Sequence, residues 1–160
     1  MKKKSIIFIL GKKNYLSDTL KELLIKQKFQ NVFTDTDKKI DINNFTKLEN
    51  FFIKFRPEYI FFLGGAYGSI QLNLNKPASL MIDNMILNSN IFYLSSKYKV
   101  AKLLYLSSSC VYPKNSPNPL SPKSLMTGIF ESTNQSYAIS KLTGIELCRA
   151  YNVEKKSNFI

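Results

Sequence analysis

Two stretches carry residues that could do chemistry. Residues 102–112 read KLLYLSSSCVY, an apolar run that ends in three serines and a cysteine. Residues 134–141 read NQSYAISK and open an amphipathic segment. Tyr137 and Lys141 are four residues apart, so on a helix they share one face. An ammonium beside a phenol favours phenolate and lowers the tyrosine pKa from its ordinary ~10 toward working pH. Such a tyrosine can give a proton to a carbonyl oxygen as hydride reaches the carbon. A serine hydroxyl at the neighbouring strand end would bind that oxygen, and Ser107, Ser108 and Ser109 all qualify. This is the polar equipment of nicotinamide-dependent carbonyl reduction.

The Y-x-x-x-K pattern alone says little. It recurs at Tyr93/Lys97, Tyr98/Lys102 and Tyr151/Lys155 in a chain with nine tyrosines. Context separates the candidates. Tyr137 opens a helix behind the serine-ended strand, with Asn134 placed to cap it. The other tyrosines fall late in helical segments, where packing is the expected job. Cys110, taken by itself, reads first as a small buried hydrophobe.

The elements that must position these residues alternate strand and helix. Residues 5–10 form a continuous apolar run, as for a strand buried on both faces. Residues 15–28 place Leu16, Leu20, Leu23 and Leu24 at helical spacing, with Asp18 in the first turn. Strands are expected at 31–34, 59–63 and 103–107, and helices at 43–54, 78–98 and 136–151. Residues 158–160 look like a further strand beginning. The expectation is an α/β fold, a Rossmann-like doubly wound parallel sheet incomplete at its C-terminus, forming one domain over 1–160. Ligands in such folds sit outside the carboxyl ends of the strands. Gly11 to Ser17, Asp35, Gly64 to Ala66 and Ser107 to Cys110 all fall there. Residues 113–133 form a long Pro/Ser loop, a length usually kept for function or mobility.

A dinucleotide turn uses glycines for tightness, close approach of pyrophosphate and helix packing. Gly11 follows the first strand as required, but Asn14 and Ser17 hold the next two glycine positions. Asn tolerates positive φ, and Ser is small. An ordinary strand–turn–helix would read the same way. Asp35 ends the second strand, where an acid would bind the ribose of NAD. Lys12 and Lys13 in the first turn would suit the 2′-phosphate of NADP instead. The balance tips slightly to NADP(H) over NAD(H).

Composition bounds the rest. With 160 residues and 44% hydrophobic content the chain can bury one core. Its net charge of +12 invites a nucleic-acid reading, but the lysines are scattered and form no basic helix. Nucleic acid is therefore not an expected partner. No apolar run approaches the ~20 residues of a membrane span, and the start resembles a signal peptide only until Gly11-Lys12-Lys13. Two cysteines without metal-ligand spacing fit a reducing cytoplasm and no metal.

Residues 102–114, then 125–128, Glu131, Thr133-Asn134, 137–148 and Tyr151-Asn152 resemble the GDP-L-fucose synthases, extended short-chain dehydrogenase/reductases. The similarity runs through essentially the whole chain. The resemblance implies conversion of GDP-4-keto-6-deoxy-mannose to GDP-L-fucose by two epimerisations and an NADPH reduction. It places the catalytic serine at Ser108, the tyrosine at Tyr137 and the lysine at Lys141. Cys110 becomes the epimerisation acid/base. Cofactor contacts fall on Gly11, Lys13, Asn14, Tyr15, Leu16, Asp35, Gly64, Gly65 and Ala66, with Tyr137 and Lys141. Related enzymes pair through the two long helices, so a homodimer is implied. The family's second epimerisation acid/base is a histidine, and this sequence has none. The expectation is a cofactor half without the substrate half, unable to make GDP-L-fucose alone. Another nucleotide-sugar epimerase or dehydratase, or a non-catalytic nucleotide-binding remnant, are the competing readings. The strand edge at Phe159-Ile160 is expected to expose apolar surface.

Overall fold

The computed structural model describes residues 1–11, 15–38 and 40–160. Four parallel strands form one sheet in the order β2-β1-β3-β4. They are β1 (Ile6–Leu10), β2 (Asn31–Thr34), β3 (Tyr59–Phe62) and β4 (Lys102–Tyr105). The order reverses between β1 and β3, which opens the crevice where doubly wound sheets bind ligands. Side chains alternate across the sheet. Phe8 and Leu10 join one core with Ile60, Phe62, Leu103 and Tyr105, whereas Ile7 and Ile9 pack on the other face with Leu24, Phe29 and Val32.

Helix α1 (Tyr15–Lys26) covers β1 and β2 on that second face. Helices α2 (Phe45–Phe55), α4 (Pro77–Lys97) and α5 (Gln135–Lys155) cover the first. Local signals set their ends. Asn44 caps α2 by accepting from the Lys47 amide at 3.0 Å. Arg56 ends it in the left-handed region at φ 46°, just before Pro57. Pro77 opens α4, where its missing N–H costs nothing. A short helix α3 (Ile70–Asn75), capped by Ser69, was not expected from the sequence.

One expectation needs correction. Residues 158–160 do begin a fifth parallel strand, through a bridge between Phe159 and Leu103. Phe159 is nevertheless fully buried, and of the two apolar residues there Ile160 alone is exposed. Asn152 holds it there, donating to the Phe159 carbonyl at 2.7 Å and accepting from its amide at 2.9 Å. The long loop is also tied down. The Lys114 amide donates to the Ile129 carbonyl, Lys114 pairs with Glu131 at 3.2 Å, and a 3-10 turn forms at Pro122–Ser124.

Candidate active site

The sheet delivers the serines as expected. Past β4, the Leu106 amide still donates to Phe62, and the chain then leaves the sheet. Ser108 becomes the cap of a 3-10 turn, Ser109–Val111, its Oγ accepting from the Cys110 amide at 3.3 Å. That turn places Ser108 and Cys110 against the first turn of α5, which carries Tyr137. The Ser108 hydroxyl lies near enough to Tyr137 to pull its pKa down, and Cys110 lies near enough to the same phenol to push it up. Ser107 does not take the role Ser108 fills; its Oγ is buried with no partner.

Tyr137 departs from expectation in its electrostatics. Burial raises its pKa, and the Ser108 hydroxyl only partly offsets this. Lys141 does not act on it as predicted. The lysine is 4% exposed and gives its hydrogen bond to the Leu106 carbonyl at 2.8 Å. Burial lowers its own pKa from 10.5 to about 8. Asn134 corrects a second expectation. It holds the cap position of α5 but makes no capping bond, and its Nδ2 donates to Cys110 Sγ at 3.3 Å.

The nucleotide end is a glycine cradle. Gly11 has φ +144°, and a Cβ there would lie 2.9 Å from the Gly64 nitrogen. Only glycine fits both demands. At Gly65 a Cβ would overlap the Asn84 side chain. Asn84 is buried in α4 and donates to the Ala66 and Leu80 carbonyls, both at 2.7 Å, so it pins the loop after β3. One turn on, Asn88 donates to the Ser140 carbonyl at 2.9 Å and to Thr143 Oγ1 at 3.2 Å. It thereby fixes α5, and with it Tyr137 and Lys141, against α4. The roles of Asn84 and Asn88 went unread in the sequence, although two asparagines four apart in an apolar helix were a signal.

Asp35 directly follows β2 and is 5% exposed. Burial raises its pKa, while the amides of Asp35, Thr36 and Gly11 pull it down. Its Oδ1 is buried and unpartnered. That orphaned oxygen and the Gly11 cradle fit a dinucleotide, whose ribose hydroxyl and pyrophosphate would use them. Tyr15 and Leu16 stand exposed at the start of α1, and Ser17 is buried in its first turn. Lys13 and Asn14 lie outside the described residues.

Residues 7–160 match the family model described as the NAD dependent epimerase/dehydratase family. The chain belongs to that family. It is 33% identical to a GDP-L-fucose synthase of Sinorhizobium fredii over 96% of its own length and 49% of that protein. A putative GDP-L-fucose synthase 2 of Arabidopsis thaliana is 32% identical over 96% of this chain and 47% of its own. The chain therefore spans about half the length of the curated relatives it matches. A GDP-mannoheptose C4 reductase from Campylobacter jejuni, solved with NADP bound, superposes on all of this chain with a TM-score of 0.94 at 30% identity, using 51% of its own length. The family and these relatives make the doubly wound sheet Rossmann-like.

Proposed function

We propose that this chain is the cofactor-binding half, with the reductase residues, of an NADP-dependent epimerase/reductase that converts GDP-4-keto-6-deoxy-mannose to GDP-L-fucose. One observation carries the reading: the 3-10 turn after β4 and the first two turns of α5 bring Ser108, Cys110, Tyr137 and Lys141 to one end of a family sheet that also holds a glycine cradle. Bound NADPH would supply the hydride for the keto carbon. Tyr137, kept protonated by burial, holds the proton for the substrate oxygen, and Ser108 orients that hydroxyl. Lys141 keeps positive charge near the site, braced on the Leu106 carbonyl. Cys110 is the acid/base for a carbon beside the keto group.

NADP is preferred over NAD in this reading. The NADP bound in the Campylobacter relative and the two lysines of the first turn support it, while Asp35 pulls toward NAD. The site is cytoplasmic, where Cys110 stays reduced; both cysteines are free. Among the described residues no helix is long and apolar enough to cross a membrane. Neither a membrane nor nucleic acid has a part in the reaction. Ile82, Met85, Ile86 and Tyr93 expose an apolar face on α4, and this is the homodimer surface.

A second reading is reduction at C4 of a GDP-heptose, favoured by the close superposition on the heptose reductase. Reduction alone needs no acid/base at the neighbouring carbons, so Cys110→Ala separates the two. The test joins this chain to the second half of the Sinorhizobium relative. That chimera should oxidise NADPH with the keto sugar and lose this with Tyr137→Phe, while the isolated chain should show no turnover. Product from the isolated chain would overturn the need for a second half. If Cys110→Ala leaves fucose formation intact, the thiol has no part in epimerisation.

A further inference from the structure

An asparagine at a helix cap ordinarily accepts a hydrogen bond from an amide of the first turn. Asn134 holds that place on α5 and forgoes the bond. Its Nδ2 instead reaches Cys110 Sγ at 3.3 Å, and its Oδ1 is buried without a partner. Both features destabilise the fold: an open cap, and a buried carbonyl oxygen left unpaired. What the arrangement gains is a fixed sulfur. Ser108 holds Cys110 by its amide, and Asn134 holds it by its side chain.

An acid/base thiol must be accommodated both as S–H and as thiolate. A carboxamide suits both forms, because its N–H donates to a thiolate and its oxygen can accept from a thiol. It carries no charge of its own and does not titrate. Lys141, lowered by burial to about 8, titrates within the range that matters here, whereas two nearer groups do not. Burial keeps Tyr137 protonated, and Glu131, whose carbonyl accepts from the Asn134 amide, is paired with Lys114.

We propose that Asn134 is the positioning residue of Cys110, its carboxamide holding the sulfur and supporting the thiolate that takes a proton from substrate carbon. In that step the C–H bond breaks, an S–H bond forms, and the electron pair left on carbon passes to the carbonyl oxygen. The inference rests on reading Cys110 as an acid/base.

The test is alkylation of the 160-residue chain by iodoacetamide across pH, with Cys110 and Cys148 followed separately by peptide mass spectrometry. Cys148 is buried and serves as the internal reference. Asn134→Leu keeps the volume and loses the donor without adding a charge beside the sulfur. Its Cys110 should react about fivefold more slowly near neutrality, with the pH profile displaced upward and Cys148 unchanged. An unchanged Cys110 profile in a folded variant would overturn the proposal. The unmodified chain gives a second check that needs no folded variant. The Asn134 side-chain amide signals should shift in NMR with the same midpoint as Cys110 alkylation, and should not shift in Cys110→Ala. Signals indifferent to thiol ionisation would likewise overturn it. Neither readout uses cofactor or sugar, so the proposal can stand or fall apart from the enzymatic reading.

Discussion

The Lys141 ammonium lies 4.4 Å from the centre of the Tyr105 ring, while the Tyr105 hydroxyl donates to the Lys141 carbonyl at 3.2 Å. One buried tyrosine thus grips the lysine at both its charged end and its backbone. Cation–π attraction and the bond to Leu106 offset only part of the cost of burying the charge.

That cost has a measurable sign. The lysine pKa falls from 10.5 to about 8 on folding, so between those values the unfolded chain holds more protons and stability rises with pH. Lys141→Met should stabilise the fold at pH 7 by on the order of 2–3 kcal/mol in urea denaturation. The gap between parent and variant should close from pH 8 upward. Cys148, raised to about 11 by burial, works in the opposite sense above its ordinary 9.0. It does so in both chains, so their difference isolates Lys141. A variant less stable than the parent at pH 7 would show that Lys141 is satisfied rather than strained.

Gly144 on α5 exists to admit that tyrosine. A Cβ there would overlap the Tyr105 ring. Although alanine favours a helix, Gly144→Ala should destabilise by about 2–4 kcal/mol through overpacking. Adding Tyr105→Leu should recover part of the loss, so the double mutant should be more stable than the sum of the single changes. Additive losses would mean that the ring does not meet the helix at Gly144.

Much of this was legible in the residues, and the failures share a cause. β2 was read end to end, because a short β-prone run lay between turn residues. The serines and the Tyr137/Lys141 spacing were readable because strand ends and helix faces are local. Asn134 was read as a cap from its position, but its side chain answers to Cys110, which lies far back in the chain. The Tyr137 pKa was read from the neighbouring charge, yet burial and the Leu106 carbonyl decide where that charge goes. Helix α3 was missed because six residues are too few to show a helical period. Phe159 was expected at an exposed edge, but its ring packs on Phe92 and Tyr151 while Asn152 holds its backbone.

Asp35 is a second buried charge with a readable consequence. Its pKa is raised, so the stability it contributes is present below its ordinary 3.8 and lost as pH climbs through the folded value. Asp35→Asn should therefore be more stable than the parent at pH 7. It should also shift the NADPH-to-NADH affinity ratio toward NADPH by about tenfold, since a carboxylate near the ribose repels a 2′-phosphate. Competitive titration measures this. An unchanged ratio would place Asp35 away from the ribose.

With the Gly11 cradle and the buried Asp35 oxygen in place, these 160 residues should bind the cofactor themselves. Isothermal titration of NADPH into the isolated chain tests it most directly, with Gly11→Ala as the control for the cradle. The expected result is saturable binding at one site per chain, lost in Gly11→Ala, where the added Cβ would meet the Gly64 backbone 2.9 Å away. A chain that unfolds cooperatively yet takes up neither NADPH nor NADH would contradict the claim, and would leave this sheet as a remnant without its cofactor.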